Sequence, residues 1–200
     1  MTAKPVRLAI LISGRGTNMV AIAEHKRRAP RNYEIALVAS NVPEARGLVA
    51  ARRLNLPVWA QSHEGQERET YDKRIHAELK SRKVELIALA GYMRLLSPWF
   101  VKKWEGRILN IHPSLLPLYK GLDTHGRALA AGDANAGASV HVVTDELDGG
   151  PVIAQARIRI RARDTAESLA ARVLEEEHKL YPAAIEDYSA GLRAKGKKDG

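Results

Sequence analysis

Two hundred residues, 45% of them hydrophobic, suffice for one globular domain, which at this size buries about 70% of the surface its extended chain exposes. Cysteine is absent, which removes disulfides, thiol catalysis and thiolate metal sites and fits a reducing cytoplasm. The net charge of +9 invites a nucleic-acid partner, but no aromatic side chains interleave with the basic ones as single-strand readers require.

The chain opens at Val6–Ser13 with an apolar run too short to cross a bilayer and without a signal-peptide cleavage pattern, so it reads as a buried strand. Thr17–Arg28 reads as a helix, Ile35–Ser40 as a strand, and Pro43–Leu54 as a helix with proline in its first turn. A short strand at Pro57–Ala60 leads into a charged helix over Gln66–Arg82. Strands at Leu86–Ala90 and Arg107–Ile111 flank a short helix that starts near Pro98. Short, wholly apolar strands joined by helices indicate a parallel sheet covered on both faces, with a ligand edge at the strands' carboxyl ends.

Beyond Pro113 the style changes. A loop runs to Asp123, a short helix spans Thr124–Ala131, and strands at Ala138–Thr144 and Val152–Ile160 flank TDELDGGP as an antiparallel or mixed pair. Thr165–Tyr181 is a long amphipathic helix, with Asp164 as its N-cap and Glu167 at capping-box spacing. The fold class expected is α/β. It is a single domain with an open, mostly parallel twisted sheet, helices on both faces and an antiparallel C-terminal part. Residues 191–200 read as a flexible basic tail that carries part of the net charge. Arg157, Arg159, Arg161 and Arg163 alternate along RIRIRAR and read as one solvated strand face.

Three features carry candidate chemistry. SGRGTN places Gly14 and Gly16 between a strand and a helix, where backbone N–H groups and the helix N-terminus favour a phosphate. The third glycine of a dinucleotide fingerprint and the GK[ST] of a P-loop are both missing, so a plain strand-to-helix turn and a monophosphate seat both stand. Asn110 and His112 lie two apart at the tail of a strand, so their side chains point the same way, toward the ligand edge. Later, Asp145, Glu146 and Asp148 crowd a turn closed by two glycines and a proline. One of these acids is placed to orient His112, and His141 is a second candidate at the same edge. Spacing among His112, His141 and Asp148 matches no compact metal motif, and no metal is expected. No G-x-S-x-G elbow supports serine catalysis.

Five stretches carry a family resemblance: LISGRGTNM, ALAGYMRLLSP, ILNIHPSLLPLYKGLDTH, ASVHVVTDELDGGPVIAQ and EEEHKLYP. Together they resemble the folate-dependent glycinamide ribonucleotide formyltransferases of purine biosynthesis. The resemblance implies a Rossmann-like formyltransferase fold over residues 1–190 and a catalytic trio of Asn110, His112 and Asp148. It implies a ribonucleotide phosphate seat at Gly14, Arg15, Gly16, Thr17 and Asn18, with Glu177 receiving the glycinamide end. On the folate side it implies Arg68 and Arg94 near the glutamyl tail. Leu95, Leu96 and the loop Val143, Thr144, Asp145, Glu146, Leu147 and Asp148 would cradle the pterin, with Asn110 beside it and Met93 lining the cleft. Where some family members carry a histidine this chain has Asp123, so a helper role there is not carried over, although His125 remains.

The co-substrate implied is 10-formyltetrahydrofolate, with no permanently bound cofactor. The partners implied are small molecules, with neither nucleic acid nor membrane, and a monomer or homodimer. Methionyl-tRNA formyltransferases add a tRNA-gripping C-terminal domain, and formyltetrahydrofolate hydrolases a regulatory N-terminal one. On length, neither is expected here.

Overall fold

The computed structural model describes residues 4–195. Its first strand, β1 (Val6–Ile12), is apolar in both phases because it lies at the centre of the sheet and is covered on both sides. Leu8, Ile10 and Ile12 face one helical layer, while Ala9 and Leu11 face the other, as a period of two requires. From β1 the chain steps outward to β2 (Tyr33–Ser40) and β3 (Val58–Ala60). It then returns to the opposite side of β1 for β4 (Leu86–Leu89) and β5 (Ile108–His112), all of them parallel. β6 (Asn135–Val142) pairs antiparallel with β5, and β7 (Val152–Arg159) pairs antiparallel with β6 at the sheet edge. The order β3-β2-β1-β4-β5-β6-β7 puts the reversal of winding between β1 and β4, where open α/β sheets leave a crevice at the carboxyl ends.

One face carries α1 (Thr17–Arg28), α2 (Arg46–Arg53) and α6 (Ala166–Lys195), and buries Met19, Ile22, Leu48, Val173 and Tyr181. The other carries α3 (Arg68–Ser81) and α4 (Pro98–Lys103), with Tyr71, Ile75, Phe100 and Trp104 packed on the sheet. Midway along α6, Tyr181 is fully buried, and its hydroxyl lies 3.1 and 3.0 Å from the carbonyls of Leu89 and Leu109. It ties α6 to β4 and β5 next to their functional ends. The short α5 (Thr124–Ala130) packs against α6.

Several expected boundaries move. α2 begins at Arg46, not Pro43, because the Ala45 N–H closes a turn on the Val42 carbonyl and keeps Pro43 outside the helix. α6 is capped by Thr165 and Ser168, each hydroxyl bonding the other's N–H, whereas Asp164 accepts from the Arg161 N–H, the Arg172 side chain and the Ser168 hydroxyl. The same helix runs through Pro182 to Lys195. Proline removes one backbone donor, but Ala184 and Ile185 keep the buried face going. Near the end, Arg193 binds both Glu85 oxygens at 2.6 Å and the carbonyls of Lys4 and Pro5. Residues 191–195, expected to start a flexible tail, therefore belong to α6, and 196–200 lie outside the described residues. The arginine stripe also divides. Arg157 and Arg159 project from the exposed face of β7, while Arg161 and Arg163 lie past its end in an exposed turn.

Candidate active site

The glycine loop fills the bend from β1 into α1. Gly16 is the N-cap of α1 with φ of 71°, a conformation costly for other residues, and a Cβ there would meet the Gly47 Cα at 2.9 Å. Gly47 N–H in turn donates to the Gly14 carbonyl at 2.9 Å, so the loop rests on the start of α2. Gly47 was not singled out from the sequence, since nothing local marks a glycine whose role is to let another loop approach. No side chain caps α1, which leaves its first-turn N–H groups, those of Thr17, Asn18 and Met19, pointing out of the bend. Asn18 itself turns inward. Its amide donates to Glu177 at 2.7 Å, both groups being buried, and so joins α1 to α6. Burial pushes the Glu177 carboxyl above its ordinary range, and the Asn18 hydrogen bond opposes this only in part.

At the end of β5, Asn110 and His112 share the face of Ile108, away from Leu109 and Ile111. β6 pairs alongside, with His141 opposite Asn110 in register. Asp148 closes the cluster. Its Oδ2 lies 3.3 Å from His112 Nδ1 and accepts the Gly121 N–H at 2.9 Å, while its Oδ1 lies 3.4 Å from His141 Nε2. Asp148 sits at φ of 49°, directly before the two glycines, which let the loop turn back on itself. Burial works to raise the Asp148 carboxyl, but the His141 ring, the Gly121 N–H and the positive side of His112 together hold it below its ordinary range.

The outer nitrogens of both histidines fix where protons sit. His112 Nε2 lies 2.9 Å from the Tyr119 carbonyl and His141 Nδ1 lies 3.2 Å from the Val142 carbonyl. Carbonyls only accept, so each outer nitrogen carries a hydrogen. The contact of His112 Nδ1 with Asp148 is then attractive only when that nitrogen is protonated as well, making an imidazolium–carboxylate pair. His141 Nε2 is also 3.2 Å from the Asn110 amide nitrogen, and accepts from it when unprotonated. Asn110 keeps its other N–H for a further acceptor.

Part of this cluster lines a cleft of about 280 Å³. Asn110, His141 and Asp148 make its polar end. Val143, Thr144, Asp145, Glu146 and Leu147 make one wall, and Leu95 and Leu96 with Tyr92 the opposite one. Arg68 and Arg94 also line the cleft. The Arg94 guanidinium lies 5.1 Å over the Tyr71 ring, and its buried Nε has no hydrogen-bond partner. Glu146 bonds Lys120 at 2.6 Å and links the two loops beside the cleft.

Three expected residues stand elsewhere. Met93 is 72% exposed and does not line the cleft; its N–H donates to Ser13 Oγ at 2.8 Å, so the backbone, not the thioether, does the positioning. His112 is 6% exposed and sits behind the cleft wall, both nitrogens engaged. His125 lies in a small recess with Tyr119, Leu115 and Leu118, and burial lowers its pKa. The backbone partners, the Tyr119 carbonyl and the Gly121 N–H, were invisible in the sequence because any residue type supplies them.

The model of the family described as formyl transferase matches residues 6–185. The phosphoribosylglycinamide formyltransferase of Escherichia coli K12 is 42% identical over 187 residues, covering 93% of this chain and 88% of that protein. The trifunctional purine biosynthetic protein adenosine-3 of Gallus gallus is 43% identical over 187 residues, but the chain spans only 19% of it. A crystal structure of phosphoribosylglycinamide formyltransferase from Brucella melitensis superposes with a TM-score of 0.90 at 46% identity, covering 94% of this chain and 97% of that one.

Proposed function

This chain belongs to the phosphoribosylglycinamide formyltransferase family, and on that footing we propose that it moves the formyl group of 10-formyltetrahydrofolate to the primary amine of glycinamide ribonucleotide by direct attack. The observation that carries the reading is the polarity of the cleft. Amide, imidazole and carboxylate line the same cleft as two arginines and a set of apolar side chains, which suits a molecule with a reactive carbonyl, an apolar body and an anionic tail. The folate is a co-substrate and is not held between turnovers. Among the described residues no helix is long and apolar enough to cross a membrane. The reading places the enzyme in the cytoplasm, as a monomer or homodimer acting on two small molecules.

The chemistry sets three demands. The amine must be neutral when it attacks, the oxyanion must be stabilised, and a proton must reach the departing N10. The free N–H of Asn110 stabilises the oxyanion; one such donor is worth about 3 kcal/mol in acyl transfer. His112, oriented by Asp148, supplies the second donor and then the proton from Nε2, and Asp148 relays the amine proton, taken directly or through a water, to Nδ1 of the same ring. For His112 to serve, its Nε2 must exchange the Tyr119 carbonyl for the substrate oxygen. The segment around Tyr119 therefore shifts when both substrates are bound. The ribonucleotide phosphate sits on the uncapped start of α1, among Gly14, Arg15, Gly16 and Thr17, and Glu177 takes hydrogen bonds from the same substrate.

The test is a formyl-transfer assay that follows the folate absorbance with glycinamide ribonucleotide, water and initiator tRNA as competing acceptors. Transfer to the ribonucleotide alone is expected; transfer to water or tRNA without it would overturn the reading.

A further inference from the structure

Asp72 is a charged side chain with no place in the chemistry above. It lies on the buried face of α3 at 0% exposure, yet it contributes little that a stable core needs. Its Oδ2 accepts the Ser97 N–H at 2.6 Å, while its Oδ1 has no partner. The hydroxyls of Tyr71 and Tyr92 lie beside each other in the same buried region, and its charge affects the acidity of both. A buried carboxylate with one idle oxygen destabilises a core relative to an apolar side chain of its size.

We propose that Asp72 is a positioning residue for folate binding, holding the far end of the segment that forms one wall of the cleft. This rests on the folate reading of the cleft. The segment from Gly91 to Ser97 leaves β4 and enters α4, and it is tied at two points. At the near end the Ser13 N–H donates to the Gly91 carbonyl at 3.1 Å and the Met93 N–H donates to Ser13 Oγ. At the far end Ser97, itself 2% exposed, caps α4 through its hydroxyl and is gripped by Asp72 through its N–H. Between the ties stand Arg94, Leu95 and Leu96, which face the cleft. The charge of Asp72 also reaches Arg94 and Arg68, the two cations that line the cleft. Releasing the far tie frees this wall without touching Asn110, His112, Asp148 or the glycine loop, so the loss falls on one substrate.

Four variants test it. Asp72→Ala removes the acceptor, and Asp72→Asn keeps an oxygen for the Ser97 N–H. Ser97→Pro deletes the N–H at a residue whose φ of −70° suits proline, and Ser97→Ala keeps the N–H while losing the hydroxyl cap. Asp72→Ala and Ser97→Pro are expected to raise KM for the folate by about tenfold or more, the loss typical of a hydrogen bond to a charged group. Asp72→Asn and Ser97→Ala should stay within about threefold, and KM for the ribonucleotide and kcat should hold in all four. Amide exchange in residues 91–97 should quicken in the first pair alone. That measurement needs no ligand, so a wild-type chain that binds no folate would sink the functional reading while the tie is still judged by exchange. Folded Asp72→Ala and Ser97→Pro proteins with unchanged folate KM and unchanged exchange would overturn the proposal. So would equal losses for both substrates accompanied by a lowered Tm. If Asp72→Ala fails to fold, the serine pair decides.

Discussion

Asp148 and Glu177 are buried alike, 8% and 7% exposed, and both border the substrate-binding edge of the sheet, yet their carboxyls are driven in opposite directions. Around Asp148 two imidazoles and the Gly121 N–H outweigh desolvation and keep it anionic. Around Glu177 a single neutral amide, that of Asn18, is all that opposes desolvation. The difference lies in the neighbours each backbone supplies. The turn at 145–150 folds an acid onto the ends of β5 and β6, where histidines stand in register, whereas α6 lays its acid against the uncharged first turn of α1. The first carboxylate is completed by the protein. On the function proposed, the second is left for a substrate to complete.

The largest expected effect breaks the first half of that contrast. Asp148→Asn preserves shape and removes the charge that faces His112, so kcat should fall by about 100-fold or more, the low end of what positioned proton transfer supplies. His112→Ala should lose a similar amount, and the double variant should lose little beyond either alone, because the two act as one unit. Steady-state kinetics across pH checks this. An Asp148→Asn enzyme with near wild-type kcat and pH profile would reduce Asp148 to a loop acid and end the three-residue mechanism.

The contrast also shows what a sequence displays and what it conceals. The strands β1, β4 and β5 are legible because burial on both faces forces runs dominated by Ile, Leu, Val and Ala. Asn110 and His112 stand out as polar residues at the end of such a run, and DELDGG as acids packed into a turn. The end of α6 was misplaced at Tyr181 because local rules treat proline as a stop, while the packing of Ile185 and the Arg193–Glu85 pair act over long range. Glu177 was recognisable only by resemblance. Among the acids of EEEHKLYP nothing local separates the one that turns inward, since only the position of α1 decides it.

A smaller effect is expected on the other side. Glu177→Gln keeps an oxygen for Asn18 but removes the charge left open to the ribonucleotide. KM for that substrate should rise by about tenfold with kcat little changed, again the weight of one charge-assisted hydrogen bond. Isothermal titration with the ribonucleotide in the absence of folate gives the same quantity without turnover. An unaltered affinity would mean that Glu177 is a structural partner of Asn18 alone.

The smallest effect is in stability, and there the two acids should differ in sign. Asp148 has its folded pKa below the ordinary 3.8, so its contribution is complete above that pH and disappears as pH falls toward the folded value. Glu177 has its folded pKa above the ordinary 4.5. As pH rises from 4.5 the unfolded chain ionises first, so stability drains until the folded value is passed, and the full penalty remains above it. Asp148→Asn should therefore lower Tm at neutral pH, with the deficit closing below 3.8. Glu177→Gln should leave Tm unchanged below 4.5 and raise it above, by about 2–4 °C for each kcal/mol relieved in a chain of this length. Thermal melts of the three proteins from acid to neutral pH measure both curves. If Glu177→Gln lowers Tm at neutral pH, its carboxylate is already completed within the protein and the contrast between the two acids fails. A rise in Tm paired with the loss of ribonucleotide affinity would mean that the chain gives up stability to keep an acid open for its substrate.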